Sequence, residues 1–123
     1  MNYLGIDFGT KNIGLAISIQ EIIQPIPGLK NDNKVFNEIQ KIIDQYKIEK
    51  IFVGLSEGKV AQLTKSFISN LKDMLELPIE TVEESVSTIE ANQIFLKNKN
   101  KNKSYKKLID SISAAVILRR VIG

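Results

Sequence analysis

The stretch YLGIDFGTKNIGLAIS, residues 3–18, predicts two short strands joined by a tight turn over Gly9-Thr10-Lys11-Asn12. Alternation places Leu4, Ile6 and Phe8 on one face and Tyr3, Gly5 and Asp7 on the other. The second strand repeats this face of small residues with Gly14, Ala16 and Ser18. The two strands therefore predict a hairpin with large apolar side chains on one face. Its other face consists mainly of small residues and is called the thin face below.

Asp7 is the acidic residue of this hairpin and follows an otherwise apolar strand. A carboxylate in such surroundings is costly unless another group compensates its charge. Backbone amides of its own turn are one candidate for that group, and a metal ion is the other. The apolar character of the strand favours the metal ion.

Composition limits the chemistry that this chain can perform. Its 123 residues contain no Cys and no His, which excludes thiol nucleophiles, Ser-His-Asp arrangements and the usual zinc sites. A hydrolase of this composition would use carboxylates with Mg²⁺ or Mn²⁺. The length predicts a single domain, residues 1–123, and we expect a monomer or a weak homodimer. No apolar run could cross a membrane and no secretion signal is visible, so we expect a cytoplasmic protein.

Charge is distributed unevenly along the chain. Residues 97–123 carry six Lys and two Arg against one Asp, a net charge of +7, whereas residues 1–96 carry −4. A basic C-terminal segment that follows a mildly acidic segment suits a polyanionic partner such as nucleic acid. A general bias toward Lys explains the same count equally well.

Strands and helices alternate after the hairpin. Residues 24–29 are extended, and their prolines suit an edge strand or the approach to one. The continuous apolar run Lys50–Leu55 is typical of a parallel strand covered on both faces, and Ile79–Val82 alternates like a strand with one covered face. The order predicts a mixed α/β sheet with helices on both faces.

Helical periodicity appears in four segments. The first has an apolar stripe of Val35, Ile39, Ile42 and Tyr46, and the second has an inner face of Val60, Leu63, Phe67, Leu71 and Met74 or Leu75. A capping-box pattern over Ser87–Glu90 starts a third. The last begins near Leu108-Ile109-Asp110, after a solvated loop over Lys97–Lys107.

Three acids form the candidate catalytic site. Asp7 and Glu84 fall at the ends of predicted strands, where sites gather in such sheets, and Asp110 opens the last helix. Together they could hold one or two divalent cations that support phosphodiester hydrolysis. Each also has an ordinary explanation: Asp7 bonds its turn amides, Glu84 is an exposed loop acid, and Asp110 is a helix N-cap. Spacing alone does not choose between them.

Polar and basic residues near these acids are candidates for substrate binding. Thr10 and Lys11, in the turn beside Asp7, could contact a phosphate. Four lysines in or beside the Lys97–Lys107 loop could follow a nucleic-acid backbone: Lys101, Lys103, Lys106 and Lys107. Solvated surface residues would have the same sequence.

Four stretches, in order, resemble the YqgF/RuvX family, which is assigned to pre-16S rRNA processing and described as Holliday-junction-resolvase-like. They are residues 5–14 (GIDFGTKNIG), 51–55 (IFVGL), 83–91 (EESVSTIEA) and 110–115 (DSISAA). The third resembles the family's Asp-Glu-Arg-x-(Ser/Thr)-Thr-x-Glu-Ala motif, and the fourth resembles its Asp-x-x-Ala-Ala helix start. The resemblance covers nearly the whole chain.

This resemblance implies an RNase H-like mixed five-stranded sheet. It also implies a metal-dependent nuclease acting on structured RNA or branched DNA, with Asp7, Glu84 and Asp110 as the acidic metal ligands. Two departures concern substrate binding rather than metal binding. Ser85 stands where the family has Arg, and the loop Ser56-Glu57-Gly58 is shorter than usual.

Two other classes of protein are compatible with parts of this pattern. A nucleic-acid-binding module of the same fold that has lost turnover is compatible with Ser85. The Asp-x-Gly-Thr hairpin also resembles the phosphate hairpin of actin-like or sugar-kinase-like ATPases, which need a second domain that 123 residues do not provide.

Overall fold

The computed structural model describes residues 1–55, 59–82 and 104–122, with the backbone alone for Lys59 and residues 104–110. Five strands form one sheet in the order β3-β2-β1-β4-β5. Their bounds are β1 Tyr3–Asp7, β2 Asn12–Ile19, β3 Ile22–Lys30, β4 Lys50–Gly54 and β5 Ile79–Val82. Strands β1, β2 and β3 are antiparallel neighbours, whereas β4 runs parallel to both β1 and β5. The predicted mixed five-stranded sheet is confirmed.

Three helices pack on this sheet within the described ranges. Their bounds are α1 Val35–Tyr46, α2 Lys59–Met74 and α3 Ser104–Ile122. The helix predicted to start at Ser87 lies outside the described residues. Among the three described helices, none has the length and apolar character that a membrane span needs.

Among the described residues, the hydrophobic core has two parts, one on each face of the sheet. The larger part joins alternate residues of β1, β2 and β4 to the inner sides of α1 and α2. The smaller part joins the other face of the sheet to α3, through residues such as Ala16, Phe52, Ala114 and Leu118. Helices therefore cover both faces, as the sequence predicts.

The hairpin prediction is confirmed in detail. Leu4, Ile6 and Phe8 all belong to the larger core, and β1 pairs with β2 from Tyr3 opposite Ser18 to Asp7 opposite Gly14. Strand β3 lies at an edge of the sheet and contains both Pro25 and Pro27. An edge position suits these prolines, because their missing amide protons cost the least there.

The inner face of α2 differs from the prediction at Leu63, which is 51% exposed and does not belong to the core. Of the two alternatives at the end of the helix, Leu75 is buried and Met74 is exposed. Thr64 and Ile68 are also buried, beside the correctly predicted Phe67 and Leu71. Thr64 tolerates burial because its hydroxyl donates a 2.9 Å hydrogen bond to the carbonyl of Val60, one turn earlier.

The last helix also begins earlier than the sequence predicts. It starts at Ser104 rather than near Leu108, so Lys106 and Lys107 belong to its first turn and not to a loop. Lysine is a good helix former, so a polar first turn can be helical. Because this turn has no apolar residues at helical spacing, the sequence pattern does not reveal it. Asp110 is consequently the seventh residue of α3. The interpretation of Asp110 as the N-cap of this helix is wrong.

Candidate functional site

The carboxyl ends of the three parallel strands are level with one another. Asp7 at the end of β1 pairs with Gly54 at the end of β4, and Gly54 pairs with Val82 at the end of β5. The amide of Leu55 donates a 2.8 Å hydrogen bond to the carbonyl of Val82, which extends this pairing past the last residue of β4. Side chains that leave these three strand ends therefore start from one edge of the sheet.

Asp7 is half-buried and lies between two glycines across the sheet. Gly14 of β2 is its partner on one side and Gly54 of β4 is its partner on the other. Neither neighbour has a side chain that would crowd the carboxylate on this face. The thin face that the sequence predicts around Asp7 thus extends across three strands.

Helix α3 packs on this thin face at very short range. A Cβ atom placed on Gly5 would lie 2.7 Å from Cγ of Leu118 and 2.8 Å from the carbonyl oxygen of Ala114. Since real Cβ atoms do not approach other atoms so closely, the helix can sit here only because Gly5 has no side chain. The small residues of β1 and β2 therefore flank Asp7 and also allow α3 to pack closely on the sheet.

A buried hydrogen bond fixes α3 against β2 close to the level of Asp7. The amide of Leu15 donates to Oγ of Ser111 at 3.1 Å, and Leu15 pairs with Ile6, the residue before Asp7. Ser111 is fully buried. Asp110 immediately precedes it, so the backbone of Asp110 lies at the same end of the sheet as Asp7. The side chain of Asp110 is outside the described residues.

Glu84 also lies outside the described residues, as do Glu83 and Ser85. The described chain ends at Val82, level with Asp7, and Glu84 is the second residue beyond it. Within the described residues there is no group of three acids that could hold a metal. The convergence of Asp7, Glu84 and Asp110 thus stays a prediction. The structure shows the elements next to them: Asp7 ends β1, Glu84 follows the end of β5 and Asp110 lies on α3.

The loop between β1 and β2 carries Thr10 and Lys11, and both are exposed. Asn31 holds this loop from the end of β3. Its side-chain amide donates a 2.9 Å hydrogen bond to the carbonyl of Gly9, and its backbone amide donates at 2.9 Å to the carbonyl of Lys11. Gly9 is required here, because a Cβ atom would collide with the carbonyl oxygen of Asn12.

The other predicted substrate-binding lysines are only partly within the described structure. Lys101 and Lys103 lie outside the described residues. Lys106 and Lys107 are the third and fourth residues of α3, about one turn before Asp110. Their backbone positions lie on the helix that carries Asp110 rather than on a separate loop.

Two residues that shape this site have structural roles that the sequence does not indicate. Ser111 was part of a motif, but nothing in the sequence indicates that its hydroxyl is buried and bonded to another element. Asn31, Asp32 and Asn33 are residue types typical of helix caps, and nothing in the sequence indicates that Asn31 bonds the loop between β1 and β2 instead. Only the three-dimensional pairing identifies both residues as supports of the elements that carry the predicted site.

Solved structures with the same fold define the class of protein. The chain superposes on Thermus thermophilus RuvC in complex with a Holliday junction substrate with a TM-score of 0.63 at 11% identity, covering 99% of this chain and 94% of that one. It superposes on the fowlpox virus Holliday junction resolvase with a TM-score of 0.66 at 13% identity, covering 99% and 97%. At such low identities the likeness shows the fold, which is the RNase H-like fold of resolvase nucleases.

The sequence comparison identifies the family within that class. A family model described as RuvX, Holliday junction resolvase, matches residues 1–123, so the chain belongs to the RuvX family. A relative from Sulfurihydrogenibium sp. is 40% identical over 126 residues, covering 94% of this chain and 86% of the relative. A relative from Buchnera aphidicola is 34% identical over 128 residues, covering 96% and 93%. Both are named "Putative pre-16S rRNA nuclease".

Proposed function

We propose that residues 1–123 act as a single endonuclease domain that cleaves phosphodiester bonds of structured nucleic acid, with 5′-end processing of pre-16S rRNA as its reaction. Membership of the RuvX family and the names of its relatives support this substrate. Such a reaction belongs in the cytoplasm, where we propose that the protein acts as a monomer or a weak homodimer.

The observation that carries the proposal is the level alignment of Asp7, Gly54 and Val82 across three parallel strands. It supports a common site, because Glu84 follows Val82 by two residues and Asp110 precedes the Ser111 that bonds to β2. Acids far apart in sequence would then start from the same edge of the sheet. This is the usual location of a site in a parallel α/β arrangement.

Asp7, Glu84 and Asp110 would together hold Mg²⁺ or Mn²⁺. Their carboxylate oxygens are hard ligands of the kind these ions prefer, and a chain without His or Cys offers no softer donors. When bound, such ions activate a water molecule and stabilise the leaving oxygen of a phosphodiester.

Substrate contacts would come from both sides of the three acids. Thr10 and Lys11 are exposed in a loop that Asn31 holds beside the end of β1, within reach of a phosphate. Lys101, Lys103, Lys106 and Lys107 precede Asp110 along the chain and would contact the nucleic-acid backbone. The Ser85 substitution removes one cation from this set.

A DNA resolvase activity is the second candidate function. The family description names a Holliday junction resolvase, and the similar RuvC structure contains a Holliday junction substrate. A third candidate is a binding module without turnover, which Ser85 favours because a cation that could stabilise charge during cleavage is missing. All three candidate functions require a surface that binds nucleic acid. They differ in whether RNA, DNA or neither is cleaved.

The test compares cleavage of a precursor 16S rRNA leader and a four-way DNA junction, with and without Mg²⁺. We expect Mg²⁺-dependent cleavage of the RNA, reduced about 100-fold or more by Asp7→Asn, the effect of removing one electrostatic contact to a transition state. Asp73→Asn is the matched control, since Asp73 is an exposed acid on α2. Equal cleavage by wild type and Asp7→Asn would overturn the enzymatic proposal, and binding without cleavage would favour the module.

A further inference from the structure

A groove lies on the face of the sheet opposite α3, between α2 and the edge strand β5. Its volume is about 350 Å³. Its described lining consists of Leu55, Lys65, Ile68, Ser69, Lys72 and Thr81. Four of these six side chains carry an ammonium or a hydroxyl group, above an apolar floor of Leu55 and Ile68. This composition suits a ligand that is anionic and also has apolar surface.

Positive charge in the groove is arranged along one side of α2. Lys65, Ser69 and Lys72 are spaced by four and three residues, so they follow one another on the same helix face. Both lysines are exposed, and neither forms an ion pair with any residue in the described ranges. Seven residues at 1.5 Å place the two lysines about 10 Å apart along the helix axis.

Strand β5 places no acidic side chain in the groove. Glu80 is the acid of that strand, and it pairs with Lys50 at 2.8 Å. Glu80 alternates with Thr81, so the two side chains project to opposite faces of the sheet. Thr81 lines the groove, whereas Glu80 lies on the α3 side.

The groove begins at the edge of the sheet where Asp7 lies. Thr81 precedes Val82, which is level with Asp7, and Leu55 follows Gly54 in the same row. Strand β5 is two strands from β1, which is about 10 Å at the usual inter-strand spacing. A polymer held at Asp7 can therefore pass over this edge and continue along α2.

We propose that this groove binds the phosphodiester backbone of a nucleic-acid strand that flanks the cleavage point, with Lys65 and Lys72 on phosphates and the hydroxyls of Ser69 and Thr81 between them. The inference rests on the proposed function. The distance of about 10 Å between the two lysines is long enough for them to contact different phosphates of one strand. This second contact supplies positive charge in a chain where Ser85 replaces a family Arg.

The absence of cysteine from the chain makes a direct test possible. Ser69→Cys places a single thiol in the groove, and Asn70→Cys places one on the exposed flank of α2 outside the groove lining. Both variants are combined with Asp7→Asn to prevent cleavage, and alkylation by a maleimide is timed with and without the precursor rRNA leader. At about ten times Kd, we expect roughly tenfold slower alkylation of Cys in the first variant only, because about one groove in ten is then free.

A charge test complements the thiol test. In the same Asp7→Asn background, Lys65→Gln with Lys72→Gln is expected to raise Kd about tenfold and to reduce the slope of log Kd against log salt by about 1.5 to 2. Arg at both positions is expected to restore binding. Lys41→Gln with Lys47→Gln is the matched control, since both lysines are exposed on or just after α1.

The outcomes separate this inference from the proposed function. If wild type cleaves RNA while neither alkylation nor Kd responds at the groove, the groove inference is wrong and the nuclease proposal stands. If wild type neither binds nor cleaves nucleic acid, both are wrong. Protection of both thiols equally would show a general surface effect and would also overturn the groove.

Discussion

The hydroxyl of Ser111 accepts a hydrogen bond from the backbone amide of Leu15, and this 3.1 Å contact joins α3 to β2 inside the protein. Strand β2 is central enough that Leu15 is fully buried, as is Ser111. The amide of Leu15 thus has a side chain of another element as its partner. This bond fixes the helix turn that carries Asp110 at the level of Ile6 and Asp7.

Replacing this hydroxyl is expected to destabilise the fold. Ser111→Ala leaves the buried amide of Leu15 without its partner, which costs about 1–3 kcal/mol of unfolding free energy. Urea unfolding monitored by circular dichroism measures this loss. We expect a lower midpoint concentration of urea and an unchanged slope of unfolding free energy against urea concentration. A variant as stable as wild type would show that the bond contributes nothing.

Ser18→Ala is the matched control for this prediction. Ser18 is also fully buried on β2, but its hydroxyl has no hydrogen-bond partner in the part of the chain that the structure describes. Removing an unsatisfied buried hydroxyl is expected to leave stability unchanged or to raise it by about 1 kcal/mol. Ser111→Ala should therefore lower the unfolding free energy, and Ser18→Ala should not.

The close packing of α3 on β1 gives a second prediction. Gly5→Ala would force the new methyl group against the carbonyl oxygen of Ala114, a backbone atom that cannot rotate away. We expect a loss of about 1–3 kcal/mol, with displacement of α3. Since about 1 Å of misplacement can cost a site roughly 100-fold in rate, nuclease activity per folded molecule should fall as well.

Gly54→Ala is the comparison for Gly5→Ala. The new methyl group would meet Cδ1 of Ile117 at 2.5 Å, which is the far end of a flexible side chain. Thermal unfolding should therefore show a smaller loss of stability for Gly54→Ala than for Gly5→Ala, whereas cleavage is not a suitable readout for this pair because Gly54 lies beside Asp7. A Gly5→Ala protein with wild-type stability and rate would contradict the tight packing described here.

The loop between β1 and β2 gives a third prediction. Asn31→Ala removes the donor to the carbonyl of Gly9 and loosens the loop that presents Thr10 and Lys11. We expect a loss of about 1 kcal/mol in stability and a rise in KM of roughly twofold to tenfold, which is the equivalent of one hydrogen bond.

Asn33→Ala is the control for the loop variant, because Asn33 is exposed two residues further along the same segment. Steady-state kinetics on the precursor rRNA leader would distinguish the two. If both variants shift KM to the same extent, the effect comes from the segment generally and not from the bond to Gly9.

The sequence predicts the sheet well because its strands have distinct patterns. Alternation in residues 3–18 and the continuous apolar run at Lys50–Leu55 each match one strand environment, and the structure confirms both. Prolines identify β3 as an edge strand. The sequence also places Asp7 correctly at a strand end, because that end depends on local pattern alone.

The sequence predicts the helices less well, for two physical reasons. Ser104–Lys107 has no apolar periodicity, so the start of α3 depends on propensity and on the buried residues that follow. On α2, a buried Thr64 that bonds its own helix replaces the more apolar Leu63 in the core. Sequence patterns rank residues by apolarity and cannot register an internal hydrogen bond that makes a hydroxyl compatible with burial.

The sequence predicts the thin face but not the element that packs on it. Gly5 and its small neighbours on β2 define this face in the sequence, and the structure shows that α3 lies on it at contact distance. No local pattern reveals which helix will occupy a face, because that depends on the chain returning from more than 100 residues away. The meeting of Asp7 with Glu84 and Asp110 is a prediction of the same long-range kind.

A metal-binding measurement tests that prediction without relying on activity. If Asp7, Glu84 and Asp110 hold Mg²⁺ in the folded state only, Mg²⁺ at about 100 times its Kd should raise the unfolding free energy of wild type by about 2.7 kcal/mol. The increase should disappear in Asp7→Asn and in Glu84→Gln, because each removes one carboxylate, and it should persist in Asp73→Asn. Thermal unfolding with Mg²⁺ or with EDTA provides the readout. Equal stabilisation of all four proteins would mean that the ion binds elsewhere, and the three acids would then need another explanation.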